Sequence, residues 1–582
     1  MPCYSLHDLT KGIVQECHAQ FSRLPKHGKP SKKSNGQAEW TILAGIVATT
    51  PTTPAPGQST ESDAGDAVDS YMVECISLGA GSKCLPQGKL SPRGDLVNDC
   101  HAEILARRGF NKWCLQEMHS SFQHPENTLN KFRYLGRQVS SPEGKLGPLF
   151  ALVDPRTRFH LYVSQAPCGD ATTASLAHIQ SAESRAAFLQ GQGQQRAQQQ
   201  QAATTGGTDD GVQRKSQEQT SLLAGTKHPR QDSDGDEPAR SCLNKHPKVR
   251  GTSDAPTTIS TIATATDTTT SATATVTSAT ANASTTTVTN DATNPSECHH
   301  TLGFRRGRVD YDSVGVLRTK PGRVDSEPTL SMSCSDKIAR WGVQGLTSAL
   351  VAAFLETPIY LSSVITRELF DAAALKRALL ERIVVANCAC LDKTQLSDGS
   401  GHLWRPHPVQ IHASSIVFEF SKEAITSSIE QEGGSHQPVA SSSSISWIAS
   451  EPSITEVLVN GCKAGASSKQ PLPPKSRSRL CKVNMFQSSV ALWKSICAAS
   501  AATTLEPQVP DLIQCMVGTL AVGQQWPTSK EEITYREWKQ LAKDYTAVKE
   551  DLFRSVFQNW VRGDEAFEQF NVEGTSLIIT RL

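Results

Sequence analysis

One stretch decides more than any other what this chain can fold into. From about Ser181 to Ser296 it runs through Gln clusters (GQGQQRAQQQQ), mixed charge and a Thr/Ala/Ser tract (TTISTIATATDTTTSATATVTSATANASTTTVTN). Such a segment has too few large apolar residues to offset its ordering entropy, and it reads as a disordered insertion. Without it, roughly 460 of the 582 residues remain, enough for one large core or two fused ones.

Charge says little about partners. Lys+Arg 58 against Asp+Glu 57 leaves a net charge of +1, although RLPKHGKPSKK (23–33) and KSRSR (475–479) are locally basic. The opening MPCYSLHDLTKG lacks the apolar stretch of a secretory signal, and no run approaches the roughly 18 apolar residues that span a bilayer. The expectation is a soluble protein of a reducing compartment, cytoplasm or nucleus, with no membrane partner. Its 16 cysteines are then read as core residues, ligands or nucleophiles before disulfides.

The chain divides into an N-terminal segment (1–50), a Pro/Thr/Gly linker (51–68), a first core part (69–180), the insertion (181–300) and a second core part (301–582). EWTILAGIVAT reads as a strand or short buried helix, and YMVECISLGAG as a β-rich run ending in glycines. In NDCHAEILARRGFNKWCLQEM the apolar spacing predicts a helix, with Asn98 or Asp99 as N-cap and His101 and Glu103 in its first turn. GPLFALVD and RFHLYVSQ predict two strands, the second entering a strand-to-helix turn at APCGDATTASLAHI. After Asp336 the apolar density predicts one buried helix ended by Thr357-Pro358. Next come two strand-like runs, PVQIHASSIVFEF and SISWIASEPSITEVLVN, and mostly helical sequence to the end. Alternation of strands and helices implies an α/β sheet flanked by helices.

Hydrolytic deamination needs an activated water and a group that shuttles protons to the leaving amine. Zinc on three protein ligands keeps one position open and brings the pKa of a bound water to about 7. The matching signature is H-x-E followed by a P-C element, with Glu as acid/base rather than ligand. His101-Ala102-Glu103 and Pro167-Cys168 fit it. Cys17-His18-Ala19-Gln20 mimics the first element, but Gln20 cannot carry a proton; Cys298-His299-His300 is a second decoy at the edge of the insertion. A nucleoside-type PCxxC would place its third ligand at 171, where Ala171 stands.

The missing ligand is suggested by Ser333-Cys334-Ser335-Asp336-Lys337-Ile338-Ala339-Arg340-Trp341. Together NDCHAE, PCGDA and SCSDKIARW closely resemble the deaminase domain of the adenosine deaminases acting on RNA. The resemblance implies a cytidine-deaminase-like core sheet with a largely helical C-terminal extension. It implies zinc on His101, Cys168 and Cys334, with Glu103 as the catalytic acid/base. It also implies a buried inositol hexakisphosphate, held by Asn98, Arg107, Arg108, Lys337, Arg340, Trp341, Lys482, Tyr535, Lys539, Tyr545, Lys549 and Trp560. Lys337 and Asp99 would relay between that anion and the metal. Arg562 and Gly563 depart from the family pattern, which carries an acid and a lysine, and GLTS (345–348) replaces a Gly-x-Gln-Gly element.

The N-terminal LTKGIVQECHAQFSRLPKHGKPSKKSNGQAEWTILAGIV and RTKPGR resemble the tRNA-specific branch of the family. The implied reaction is adenosine to inosine at position 37 of tRNA-Ala, by a monomer with no DNA partner. A loop adenosine is already partly unstacked and is cheaper to extrude than one in a duplex. Three alternatives stay open: an editor of structured or double-stranded RNA, a catalytically inactive RNA-binding relative, and a structural zinc protein. The second should lack Glu103 or a ligand, and the third should supply a fourth Cys or His.

Overall fold

The computed structural model describes residues 2–34, 36–52, 70–135, 150–179, 304–307, 313–320, 327–385, 404, 406–467, 469–503 and 533–577. The 181–300 insertion, nearly all of the 51–68 linker, and the decoy at Cys298 lie outside the described residues. The fold is mixed α/β. In chain order the elements that build the site are β1 (Cys3–Ser5), α1 (Leu9–Arg23), β2 (Leu43–Pro51), β3 (Ser70–Ala80), α2 (Ala102–Gln123), β4 (Arg158–Gln165) and α3 (Asp170–Ile179). They continue with α4 (Cys334–Gln344), β5 (Leu361–Glu368), β6 (Gln410–Ala413), β7 (Ser444–Ile448), β8 (Thr455–Val459), β9 (Cys462–Lys463), α5 (Lys482–Thr503), α6 (Tyr535–Gln540) and α7 (Lys543–Arg554).

One nine-stranded sheet runs β6-β5-β4-β2-β3-β7-β8-β9, with β1 on β3. The β4-β5-β6 side is parallel, and the pairs from β4-β2 through to β9 are antiparallel. Period-2 alternation explains how both faces are covered. Along β2, Ala44, Ile46 and Ala48 enter the core under α2, whereas Leu43 and Val47 enter the core under α1. Along β4, Phe159, Leu161 and Val163 face α2 and Tyr162 faces α1. Phe110 of α2 is fully buried between Trp113 and Phe159, and truncating it to Ala would cost about 3–5 kcal/mol.

The strand expectations for EWTILAGIVAT, YMVECISLGAG, GPLFALVD and RFHLYVSQ are met. Three details differ. The helix after NDCHAE begins two or three residues later than an Asn98 or Asp99 cap would set it. Asp99–His101 pairs as a short strand with Ser82–Cys84, and His101 itself is the N-cap residue. The single helix expected after Asp336 is two. α4 stops at Gly345, whose φ of +81° only glycine adopts at no cost, and a short turn of helix follows at Ala349–Ala352. SISWIASEPSITEVLVN forms an antiparallel pair, β7 and β8, rather than one run.

The His18 decoy is also accounted for. Its Nε2 lies 2.7 Å from the Tyr162 hydroxyl inside the α1 core, and burial lowers its pKa to about 4.

Candidate active site

Three helix N-termini converge on one point. His101 caps α2, Cys168 ends the turn from β4 into α3, and Cys334 opens α4 behind the Ser333 cap. The positive ends of helices favour thiolates at such positions. Two close approaches set the geometry. A Cβ on Gly79 of β3 would sit 2.3 Å from the Ala102 carbonyl oxygen, so glycine lets the first turn of α2 lie against the sheet. Gly169, at φ +110°, lets the Cys168 turn touch Ser333 and Ser335.

His101 Nδ1 stands 3.8 Å from Cys168 Sγ and 3.6 Å from Cys334 Sγ, and the three ligand atoms lie within 4.8 Å of one another. Tetrahedral zinc at usual bond lengths sets N···S edges of about 3.6 Å and S···S edges of about 3.8 Å. The donor set therefore fits that ion, with a fourth position left over. No fourth Cys or His joins the cluster among the described residues.

The two thiols differ: their contacts favour the thiolate at Cys168, whereas burial and the neighbouring Cys168 push the Cys334 thiol well up. The Cys334 backbone N–H lies 3.4 Å from Cys168 Sγ, and the Lys320 ammonium donates to Cys334 Sγ at 3.1 Å. The hydrogen bond from the Cys334 side chain holds the Cys168 thiol well below its ordinary pKa, aided by the Lys320 and His101 charges. Glu103, two residues into α2 from His101, is buried, and burial raises its pKa. Its Oε2 has no hydrogen-bond partner in the protein. A buried carboxylate with an unused oxygen beside a metal-ligand triangle is placed to hold and move a proton.

Lys320 is the residue that sequence reasoning missed. Entirely buried, it donates to both Asp99 oxygens at 2.9 and 2.8 Å and to Cys334. Lys337 meets Asp99 Oδ2 from the other side at 2.5 Å, and Ser331 Oγ donates to the same oxygen at 2.9 Å. Burial alone would raise the Asp99 carboxyl, but Lys320 and Lys337 overcome it and hold it well below the carboxylate range. The only signal was RTKPGR, which carries Lys320 but names no partner for it.

Beyond Lys337 opens a cavity of about 550 Å³. Asn98, Asp99, Arg107, Arg108, Lys337, Arg340, Trp341, Lys482, Lys539, Tyr545, Lys549 and Trp560 all line it, together with Arg536 and Arg562. Tyr535 is the member of the expected set that is not in the wall; its ring stacks on Phe570 at 5.0 Å. Burial lowers Arg340 to about 10, and Lys482 and Lys549 to about 8. Arg340 Nε and Trp341 Nε1 are buried with no partner. Chain acids answer part of the charge: Glu568 accepts from Lys539 at 2.6 and 2.7 Å, and Glu550 pairs with Arg562 at 3.0 Å. Cations and orphaned donors gathered around one cavity fit a multivalent anion.

Comparison with known proteins agrees with this geometry. Residues 77–564 match the model of the adenosine-deaminase (editase) domain, a span that includes the triangle, Glu103 and nearly all of the cavity wall. The chain belongs to the adenosine-deaminase (editase) domain family. Relatives include tRNA-specific adenosine deaminase 1 of Mus musculus, 30% identical over 96% of this chain and 99% of that protein. The Homo sapiens protein of the same name is 28% identical over 96% and 99%. The double-stranded RNA-specific adenosine deaminase of Rattus norvegicus is 22% identical over 86% of this chain but 29% of its own length. In this editase domain no helix of the described residues is long and apolar enough to cross a membrane.

Proposed function

We propose that the chain hydrolyses adenosine to inosine in tRNA, at position 37 next to the anticodon of tRNA-Ala, with zinc on His101, Cys168 and Cys334. The carrying observation is the triangle of ligand atoms at three helix N-termini with the buried Glu103 carboxylate beside it, whose Oε2 has no hydrogen-bond partner. When bound, zinc would make water acidic near neutral pH and leave it a strong nucleophile. Glu103 takes one proton from the attacking water and delivers it to the purine N1, then takes the second from the new C6 hydroxyl and passes it to the amine, so that the C6–N bond breaks and ammonia leaves. Its raised pKa suits a group that must both accept and return a proton. Lys320 holds Cys334 and Asp99 in place.

Inositol hexakisphosphate is the anion we assign to the cavity, where Arg340 and Trp341 would supply their unused donors. Asp99, between Lys320 and Lys337, would couple that anion to the metal ligands. The tRNA preference is supported by relatives that span nearly this whole chain, whereas the double-stranded RNA enzyme is matched over only 29% of its length.

The test is nucleoside analysis of tRNA-Ala after incubation with the pure protein, with Glu103→Gln alongside. Inosine at position 37 is expected, with a rate about 10²–10⁴-fold lower in the variant and zinc retained. Inosine in duplex RNA but none in tRNA-Ala would overturn the substrate. Wild-type turnover by Glu103→Gln would overturn the mechanism.

A further inference from the structure

Each of the two cysteines is followed at the second position by a fully buried aspartate, Asp170 after Cys168 and Asp336 after Cys334. Both aspartates are met by arginines from one helical stretch, which runs through Ala372–Lys376, Arg377–Glu381 and Arg382–Val385. Arg377 Nε donates to Asp170 Oδ2 at 3.1 Å, and its Nη2 donates to the Asp170 carbonyl oxygen at 3.1 Å. Arg382 Nη1 forms an ion pair with Asp336 Oδ1 at 2.7 Å, and none of the three Arg382 guanidinium nitrogens makes a hydrogen bond. The second oxygen of each aspartate is also committed. Asp170 Oδ1 accepts the Gly315 N–H at 2.7 Å, and Asp336 Oδ2 accepts the Arg318 N–H at 2.9 Å and the Ser333 hydroxyl at 2.6 Å.

The segment between the two arginines, Arg377–Glu381, is a π-helix. In an α-helix, residues five apart point about 140° away from each other. The π turn closes its hydrogen bond across five residues and brings them toward one face. That irregularity lets a single helix reach both cysteine turns. Buried polar groups so close to a ligand set act on the metal through the ligands they hold.

We propose that Arg377 and Arg382 form a two-point clamp that fixes the spacing of the Cys168 and Cys334 turns and so governs how tightly the metal is kept. They are positioning residues, acting through Asp170 and Asp336. The proposal rests on the reading of the triangle as a zinc site.

The test uses the full chain with its zinc. Zinc content is measured first, then the rate of zinc transfer to a chromogenic chelator, for wild type, Arg377→Gln, Arg382→Gln and the control Lys376→Met. The Co²⁺-substituted proteins are compared by absorption, since the ligand-field and thiolate charge-transfer bands report the S–metal–S geometry. Release about 10–100-fold faster in both arginine variants, with shifted cobalt bands and an unchanged control, is expected. Asp170→Asn, which loosens the same grip from the turn side, should behave like Arg377→Gln and serves if an arginine variant fails to fold. Variants that melt lower in the zinc-free form yet release zinc within twofold of wild type, with unshifted bands, would overturn the clamp. Wild type without stoichiometric zinc would instead overturn the metal reading on which the clamp stands.

Discussion

Gly169→Ala tests whether the close approach of the two cysteine turns is what shapes the site. A Cβ at Gly169 would lie 2.2 Å from Ser333 Oγ, 2.5 Å from Ser333 Cβ and 2.5 Å from Ser335 Oγ, where ordinary contact starts at 3.4 Å. The obstruction therefore exceeds 1 Å, and the neighbours cannot swing aside freely. Ser333 caps α4 by accepting the Asp336 N–H, and its hydroxyl donates to Asp336 Oδ2 at 2.6 Å. Moving Ser333 moves Cys334 with it. A φ of +110° adds about 1–3 kcal/mol for a residue with a Cβ, and overpacking about 1–3 kcal/mol. Together these reach about 2–6 kcal/mol, a large share of the roughly 5–15 kcal/mol that holds a domain folded. Gly315→Ala separates the two contributions, because Gly315 has φ +75° but nothing within 4 Å of its would-be Cβ. We expect Gly315→Ala to lower the melting temperature slightly and keep full zinc by atomic absorption. Gly169→Ala should melt lower still and lose most of its zinc. Equal zinc content and equal melting in the two variants would refute the overlap as the controlling contact.

Lys320→Met removes the ammonium between Asp99 and Cys334 while keeping much of its bulk. Breaking this buried pair should cost about 3–5 kcal/mol in denaturant melts and speed zinc loss to a chelator, and a stability change under 1 kcal/mol would contradict it. His160, hydrogen-bonded to Thr49 at 2.9 Å and Ser363 at 2.8 Å, is pushed down to about 4 by burial, as is His18. A folded pKa below the ordinary 6.5 means a neutral ring in the fold, so the stability it contributes is full above pH 6.5 and lost as pH falls toward 4. Melting temperature should drop over that window, and His160→Gln should flatten the slope; a wild-type melt level from pH 6.5 to 4 would remove this account. Inositol hexakisphosphate added to anion-free protein should raise the melting temperature more at pH 7 than at pH 9. Lys482 and Lys549, lowered to about 8 by burial, lose charge between those values, and an equal shift at both would take them out of the site.

What could be read from the sequence was local. His101, Glu103 and Cys168 sit in short motifs that suggest a deaminase, Cys334 is reached only through the family resemblance of SCSDKIARW, and β2, β3 and β4 declare themselves by apolar runs of strand length. What could not be read depends on distant packing. Lys320 acquires its meaning only by meeting Asp99, 221 positions away. In ALKRALLERI the two arginines look like the solvated face of an amphipathic helix, and no pattern announces the π turn that brings them to one side. Asp99 does not cap α2 for a related reason. An aspartate before an apolar run ordinarily caps, but here two lysines claim its oxygens. Tyr535 lies on the expected helix and stacks on Phe570, with the cavity lysines Lys482 and Lys539 over its ring at 5.9 and 5.1 Å.

The charge balance around Asp99 shows why the metal triangle and the cationic cavity belong to one design. Two ammonium groups, Lys320 and Lys337, converge on a single buried carboxylate, so Asp99 can neutralise only one of them. The remaining charge needs an anion on one side or the other. Toward the triangle, that anion forms most readily at Cys168, whose pKa the Cys334 hydrogen bond and the Lys320 charge lower, while Lys320 itself donates to Cys334 Sγ at 3.1 Å. Toward the cavity, Lys337 stands in the wall beside Arg340 and Trp341, where an acidic ligand would complete the balance. The same two lysines therefore tie the His101-Cys168-Cys334 triangle to the cavity through Asp99, as a single electrostatic unit.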